Sequence, residues 1–161
     1  MTGAPPYRAV VLLLLAVSAA ALASCRPDHA SGGLGAPITA GDYQLIVANM
    51  ENPAPSPDRF TNPKPGNRFV KFDVTVRNLG RQHLPLAAGH FTLRDSGGID
   101  NLARPDIPSD TGLRQTSVAP GQLRQAPLYF EMAANQRPVQ LVFAPNAVGW
   151  NTRIAVDLPQ T

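Results

Sequence analysis

Cysteine is almost missing from this chain: among 161 residues only position 25 carries one. An internal disulfide is therefore excluded, and with it the stapled class of small secreted folds. Dense basic tracks are missing as well. Lysine and arginine number 14 against 11 acids, a net charge of +3, too mild and too scattered for a phosphate backbone. Nucleic acid is not an expected partner. No Gly-x-Ser-x-Gly, no His-Glu-x-x-His and no phosphate-binding glycine loop occurs. A triad can assemble from distant parts, since chain order is no guide to geometry, but only His83 and His90 are available as bases in the folded part. His90 shares the outward side of its segment with Thr92 and Arg94 and is expected as a surface histidine. No catalytic residue and no cofactor is expected, so the protein is read as a non-enzyme. Past residue 25 a helical period is missing too.

What the chain does have is one greasy run, from Ala9 to Ala23, preceded by Arg8 in a short polar start. A basic start, an apolar middle and small residues at the end make a secretory signal. At about 15 residues the run is shorter than the roughly 20 that a spanning helix needs. Export is favoured over a permanent span. The run ends in Leu22-Ala23-Ser24-Cys25, which resembles the bacterial lipobox. What that resemblance implies is a diacylglycerol on the Cys25 thiol, cleavage just before Cys25, and a mature chain that begins there. The lone cysteine agrees, because it has no disulfide partner within the chain. One acyl chain anchors only marginally at about 0.8 kcal/mol per buried methylene, so durable attachment needs two or more. Ordinary cleavage after Ala21 or Ala23 is the alternative, both completing an Ala-x-Ala pattern.

Residues 1–24 are thus expected as a signal peptide with a signal helix, 25–37 as a lipid-anchored flexible tether, and 38–161 as one domain. The stretch Arg26 to Gly35 is polar and glycine-rich. As a coil of about 12 residues it would reach on the order of 20 Å. In Phe69 to Asn78, Val70, Phe72, Val74 and Val76 alternate strictly with Lys71, Asp73, Thr75 and Arg77. Period two over that length means a strand with one face on a core and one in water. Similar alternation marks Tyr43–Val47, Phe91–Arg94, Leu128–Met132, Val139–Phe143 and Arg153–Leu158, with Pro127 pointing to an edge. Asp95-Ser96-Gly97-Gly98 reads as a hairpin turn into Ile99–Leu102, and Ala119-Pro120-Gly121-Gln122 as a type II turn. Leu113-Arg114-Gln115 and Leu123-Arg124-Gln125 read as two arms flanking that turn. Asn52 to Gly66 holds five prolines, which remove ladder donors, so it is expected as a long loop. The fold class expected is all-β, an antiparallel sandwich of about 7–9 strands.

The stretches Asn67–Asn78, Phe91–Gly98, Val118–Gly121, Tyr129–Glu131 and Leu141–Phe143 are together similar to a family of bacterial surface lipoproteins. These carry a telokin-like, immunoglobulin-like domain of unknown function (the DUF4352 type), related to a secreted mycobacterial antigen. The resemblance implies an immunoglobulin-like sandwich at the cell envelope, on its extracytoplasmic face. It implies little about function, because such sandwiches host many tasks.

Two metal readings are open, calcium and copper, and neither is favoured. Asp95, Asp100, Asp106 and Asp110 offer oxygen to calcium but lack the alternate-residue spacing of a calcium loop. His83, His90, Met50 and Met132 suit copper chemically, yet Met132 continues a core alternation. The remaining candidates are loops, which on rigid sandwiches commonly carry function. Phe60 is an aromatic among prolines, with Pro63 and Pro65 beyond it, and the segment 104–113 is the second long loop. Either Phe60, Pro63 and Pro65 contact an unknown envelope or extracellular protein, or the loops cap the sandwich with Phe60 tucked into its end; Trp150 is core or rim. A polyproline segment is preformed for docking. The membrane, through lipidated Cys25, is the other expected partner. An exposed apolar surface including Phe60 favours a binding module; a wholly polar exterior favours a structural or sensory envelope lipoprotein.

Overall fold

The alternating segment 67–78 becomes the spine of a sheet. Residues 26–106, 113, 115–145 and 151–159 are described by the structure, a computed structural model. The lipobox-like residues, Cys25, the signal segment, Asp110 and Trp150 lie outside them. Eleven strands follow in order: β1 His29–Gly33, β2 Ile38–Ala40, β3 Tyr43–Ala54, β4 Asn67–Asn78, β5 Leu84–Leu86, β6 Phe91–Asp95, β7 Asp100–Leu102, β8 Thr116–Val118, β9 Leu123–Ala133, β10 Pro138–Phe143 and β11 Arg153–Asp157, with a 3₁₀ turn at Ala88–His90. One sheet runs β2-β3-β4-β9, a second β1-β11-β10-β6-β7, and β5 pairs with β8 as a small ribbon.

The alternating faces meet as expected. Tyr43, Leu45, Val47, Phe72, Val74, Val76, Leu128, Phe130 and Met132 of the first sheet are buried against Phe91, Leu93, Leu141, Phe143, Ile154 and Val156 of the second. Phe143 lies at the junction, its ring centroid 4.8 Å from Phe91 and 5.1 Å from Tyr43. Both predicted turns form: Asp95–Gly98 joins β6 to β7, and Gln122 N donates to Ala119 O at 3.0 Å with Gly121 at φ +74°. That positive φ is why glycine stands there.

Several expectations are corrected in detail. The tether is not a free coil over its whole length, because His29–Gly33 pairs in parallel with β11. This is the one parallel pair among the described strands. Gly32 there serves packing: a Cβ on it would come within 2.8 Å of Ile38 Cγ1. The strand number exceeds the seven to nine expected because β1, β2 and β5 separate out as short pieces. The proline-rich loop starts later than expected, since β3 continues through Pro53 to Ala54. At that level β3 is bonded only to β4, β2 having paired with residues 43–45. A proline is tolerated on such a free edge. The two arms around the 119–122 turn do not pair with each other; β8 joins β5 while β9 joins β4.

His90 is also corrected. The 3₁₀ turn rotates it off the strand alternation, so it is half-buried with its ring 6.3 Å from Phe143. Burial lowers its pKa, and Nδ1 has no hydrogen-bond partner among the described residues.

The paired β1 makes a direct prediction. In hydrogen–deuterium exchange, 29–33 is expected to show protection comparable to β11. Exchange at the rate of an unstructured chain would restore the tether reading.

Candidate functional site

Register places the loops at two opposite ends. Ala54 lies opposite Phe69 and Asn67 opposite Ala133 at one end, whereas Tyr43 lies opposite Asn78 and Arg77 opposite Leu123 at the other. The 55–66 loop, the 96–99 turn and the 134–137 turn share the first end. Arg68 ties the end of β3 to the 134–137 turn, donating to Asn52 Oδ1 at 2.6 Å, to Gln136 O at 2.7 Å and to Ala134 O, and Ser96 N, donating to Arg137 O at 2.8 Å, joins the 96–99 turn to the same piece. The chain enters at the second end, where Gly41 N donates to Pro27 O at 2.8 Å.

Within the 55–66 loop, Asp58 builds a tight local turn. Its Oδ1 accepts from Phe60 N at 2.7 Å and Thr61 N at 2.8 Å, and its Oδ2 from the Thr61 hydroxyl at 2.9 Å. The Phe60 N–H, then the Thr61 hydroxyl, hold the Asp58 carboxyl below the usual range. Phe60 follows this turn and is 77% exposed. The guanidinium of its neighbour Arg59 lies 4.5 Å from the ring centroid. Phe60 therefore does not tuck into the sandwich end. Pro65, like Pro53 and Pro55, is exposed, and Pro63 is half-buried.

The loop is fastened at its base by a residue that sequence reading did not single out. Glu131 Oε1 accepts from Lys64 N at 2.8 Å and from Asn67 Nδ2 at 2.9 Å. Its Oε2 accepts from Arg104 Nη1 at 2.7 Å, and Arg104 grips Asp106 at 2.7 and 2.5 Å. One carboxylate on β9 thus holds the base of the 55–66 loop and, through Arg104, the start of the 104–113 segment. Beneath them, Phe69 and Tyr129 meet edge to face at 6.2 Å on the outer side of the sheet, packed by Ala54, with Arg104 5.9 Å over Phe69. Such a satellite cluster stiffens a loop base. No local signal marks Glu131, because its partners are 27 to 67 residues away in sequence.

Burial works to raise the Glu131 pKa, but the Asn67 amide, the Lys64 N–H and the charges of Arg104 and Lys64 outweigh it, so the carboxyl sits below its ordinary range. A depressed carboxylate contributes stability fully present above the unfolded value of about 4.3 and lost as pH falls through the folded one. Glu131→Ala is expected to cost about 1–3 kcal/mol and to open the 55–66 loop to limited proteolysis at neutral pH. The wild type should open in the same place only below about pH 4.3. Unchanged cleavage in the variant would contradict the fastening role.

Neither metal reading gathers. Asp95 caps its own turn, accepting from Gly97 N and Ile99 N at 2.9 Å; Asp100 pairs with Arg94 at 2.8 Å, and Asp106 with Arg104. Met132 is core, Met50 packs on the core from its rim, and His83 is exposed beside Ser117. Among the described residues no three His, Cys, Asp or Glu side chains come together as a metal site. Nor is any helix among them long and apolar enough to cross a membrane.

Residues 32–154 match the family described as "Domain of unknown function (DUF4352)". The chain belongs to this family. The DUF4352 match begins inside β1 and ends inside β11, so the strand pair that corrects the tether frames the domain. Solved structures share the sandwich. The yjhA protein of Bacillus subtilis aligns with TM-score 0.61 and 16% identity, over 79% of this chain and 98% of that one. A secreted Mycobacterium tuberculosis protein, MPT63, gives 0.59 and 18% over 83% and 99%. The "putative lipoprotein" ycdA of B. subtilis gives 0.59 and 17% over 74% of this chain but 38% of its own length. At these identities the likeness is one of fold. No curated protein matches the chain.

Proposed function

We propose that this DUF4352 protein is a non-enzymatic, lipid-anchored module of the cell envelope that binds a protein partner outside the cytoplasm through its 55–66 loop. The observation that carries this is Phe60, a large aromatic left 77% exposed on a loop whose base is fastened by Glu131 and whose tip is fixed by Asp58. Exposed aromatics on preformed loops are the usual anchors of interfaces, because little side-chain or backbone freedom remains to be lost on binding. Pro53, Pro55 and Pro65, in and just before the same loop, are exposed as well.

Placement supports the same reading. The chain enters the domain at Arg26–Asp28, at the end opposite the 55–66 loop. An anchor at Cys25 would leave Phe60 pointing away from the bilayer. That one solved neighbour is named a "putative lipoprotein" and another a secreted protein accords with an exported role.

The test is a photo-crosslinking side chain at position 60, in cells, with position 102 on the opposite sheet as control. A discrete crosslinked protein from 60 and none from 102 is expected. Loss of that product on Glu131→Ala would place the fastened loop in the interface. An empty lane at 60 would leave the structural or sensory envelope role in its place.

A further inference from the structure

At the end where the chain enters, its first described residues are bonded to the domain. Arg26 Nη1 donates to Leu79 O at 3.2 Å and to Asp42 Oδ1 at 3.4 Å, and Arg153 N donates to Asp28 O at 2.8 Å. The first residues after Cys25 are thus held on the domain rather than extended from it. Cys25 is one peptide bond further, a Cα step of about 3.8 Å. A lipid carried there would draw this end of the sandwich onto the headgroup layer.

Three arginines lie at the same end of the sandwich. Arg77 faces Leu123 across β4 and β9, Arg124 follows Leu123, and Arg81 stands in the turn just after Leu79. Asn78 N donates to Gln122 O at 2.9 Å and Gly121 N to Asn78 O at 3.0 Å, which holds the β8–β9 turn against the end of β4. Arg77, Arg81 and Arg124 are exposed, and none forms an ion pair or side-chain hydrogen bond with another described residue. Lys71, Arg94 and Arg104 are each paired with a carboxylate, whereas Arg59, Lys64 and Arg137 at the opposite end are, like Arg77, Arg81 and Arg124, exposed and without an ion pair among the described residues; what sets the entry end apart is that the chain is attached there. Of the two acids at the entry end, Asp42 is engaged by Arg26, and Asp28 has no ion pair among the described residues. Leu123, 54% exposed, lies opposite Arg77 in register and precedes Arg124. Unneutralised arginines around an exposed leucine suit a surface that is anionic outside and apolar just beneath.

We propose that this end is a docking face for anionic phospholipid headgroups, which orients the domain on its bilayer with Phe60 outermost; this rests on the lipid-anchored reading above. Each arginine near such a surface strengthens attraction roughly fivefold, within a Debye length of about 8–10 Å. Three removed together should weaken it on the order of 100-fold.

The test uses the mature protein purified from membranes and reconstituted into phosphatidylcholine vesicles with or without phosphatidylglycerol. A fluorophore on Leu123→Cys is read against a quencher carried on the lipid headgroups. Strong quenching is expected only with phosphatidylglycerol, lost in Arg77→Gln/Arg81→Gln/Arg124→Gln, and absent throughout for the same fluorophore on Phe60→Cys. Equal quenching in both vesicles, or no change in the triple variant, would overturn the docking face. Intact mass of the same sample reports acylation separately. If the protein proves unacylated, the anchor reading falls, and co-sedimentation with phosphatidylglycerol vesicles decides the docking face alone: a roughly 100-fold loss in the triple variant supports it, and no loss overturns it.

Discussion

Phe143→Ala is expected to remove about 3–5 kcal/mol of stability. The side chain is fully buried and touches aromatic rings from both layers, Phe91 in its own sheet and Tyr43 in the opposite one. Truncation therefore loses the transfer free energy of the ring and leaves a cavity between two sheets that cannot both close in. Against a typical total of about 5–15 kcal/mol the loss is large, and a domain of this size should melt roughly 10–20 °C lower. Leu102→Ala, at a side chain 66% exposed, should stay within about 0.5 kcal/mol. Calorimetry on the pair checks the sandwich interior, and similar small shifts for both would contradict it.

Asn78→Asp should be as damaging, by a different route. Asn78 is fully buried at the end of β4; its Nδ2 donates to Gln82 O at 2.6 Å and Val118 O at 2.8 Å, and its Oδ1 accepts from Gly80 N at 2.8 Å. A carboxylate is acceptor-only, so two carbonyls would face a buried anion, a defect of about 3–5 kcal/mol. Protonation restores one donor. The variant's folded-state pKa is therefore raised above the unfolded value of about 3.9, and the ionisation part of the defect is absent below that value and grows as pH rises through the folded one. Denaturant melts of wild type and variant between acid and neutral pH should diverge upward from about pH 4. A constant difference would mean that the carboxylate escapes to water.

The core was legible because its grammar is local. Val70, Phe72, Val74 and Val76 announce an inward face at every second residue, and 118–122 announces its turn with proline and glycine. β1 was hidden because Gly32 and Gly33 carry no side-chain pattern, and the reason for Gly32 is the approach of Ile38, which only the fold supplies. His90 was misplaced because a 3₁₀ turn breaks the two-residue count just before β6. Of the candidate site, Phe60 was visible as a solitary aromatic among prolines, but exposure and burial at the sandwich end were equally readable. Glu131 was invisible because its partners at 64, 67 and 104 converge through strand register rather than spacing.

Placement of Phe60 away from the bilayer depends on the attachment at Cys25, so that attachment is the central claim to test. Intact mass of the membrane-fraction protein from wild type and Cys25→Ala measures it directly. A mature chain beginning at Cys25 and heavier by acyl groups, lost in the variant, is the result predicted. An unmodified chain beginning at Leu22 or Ser24 would contradict it and make the protein a secreted soluble factor with a free thiol.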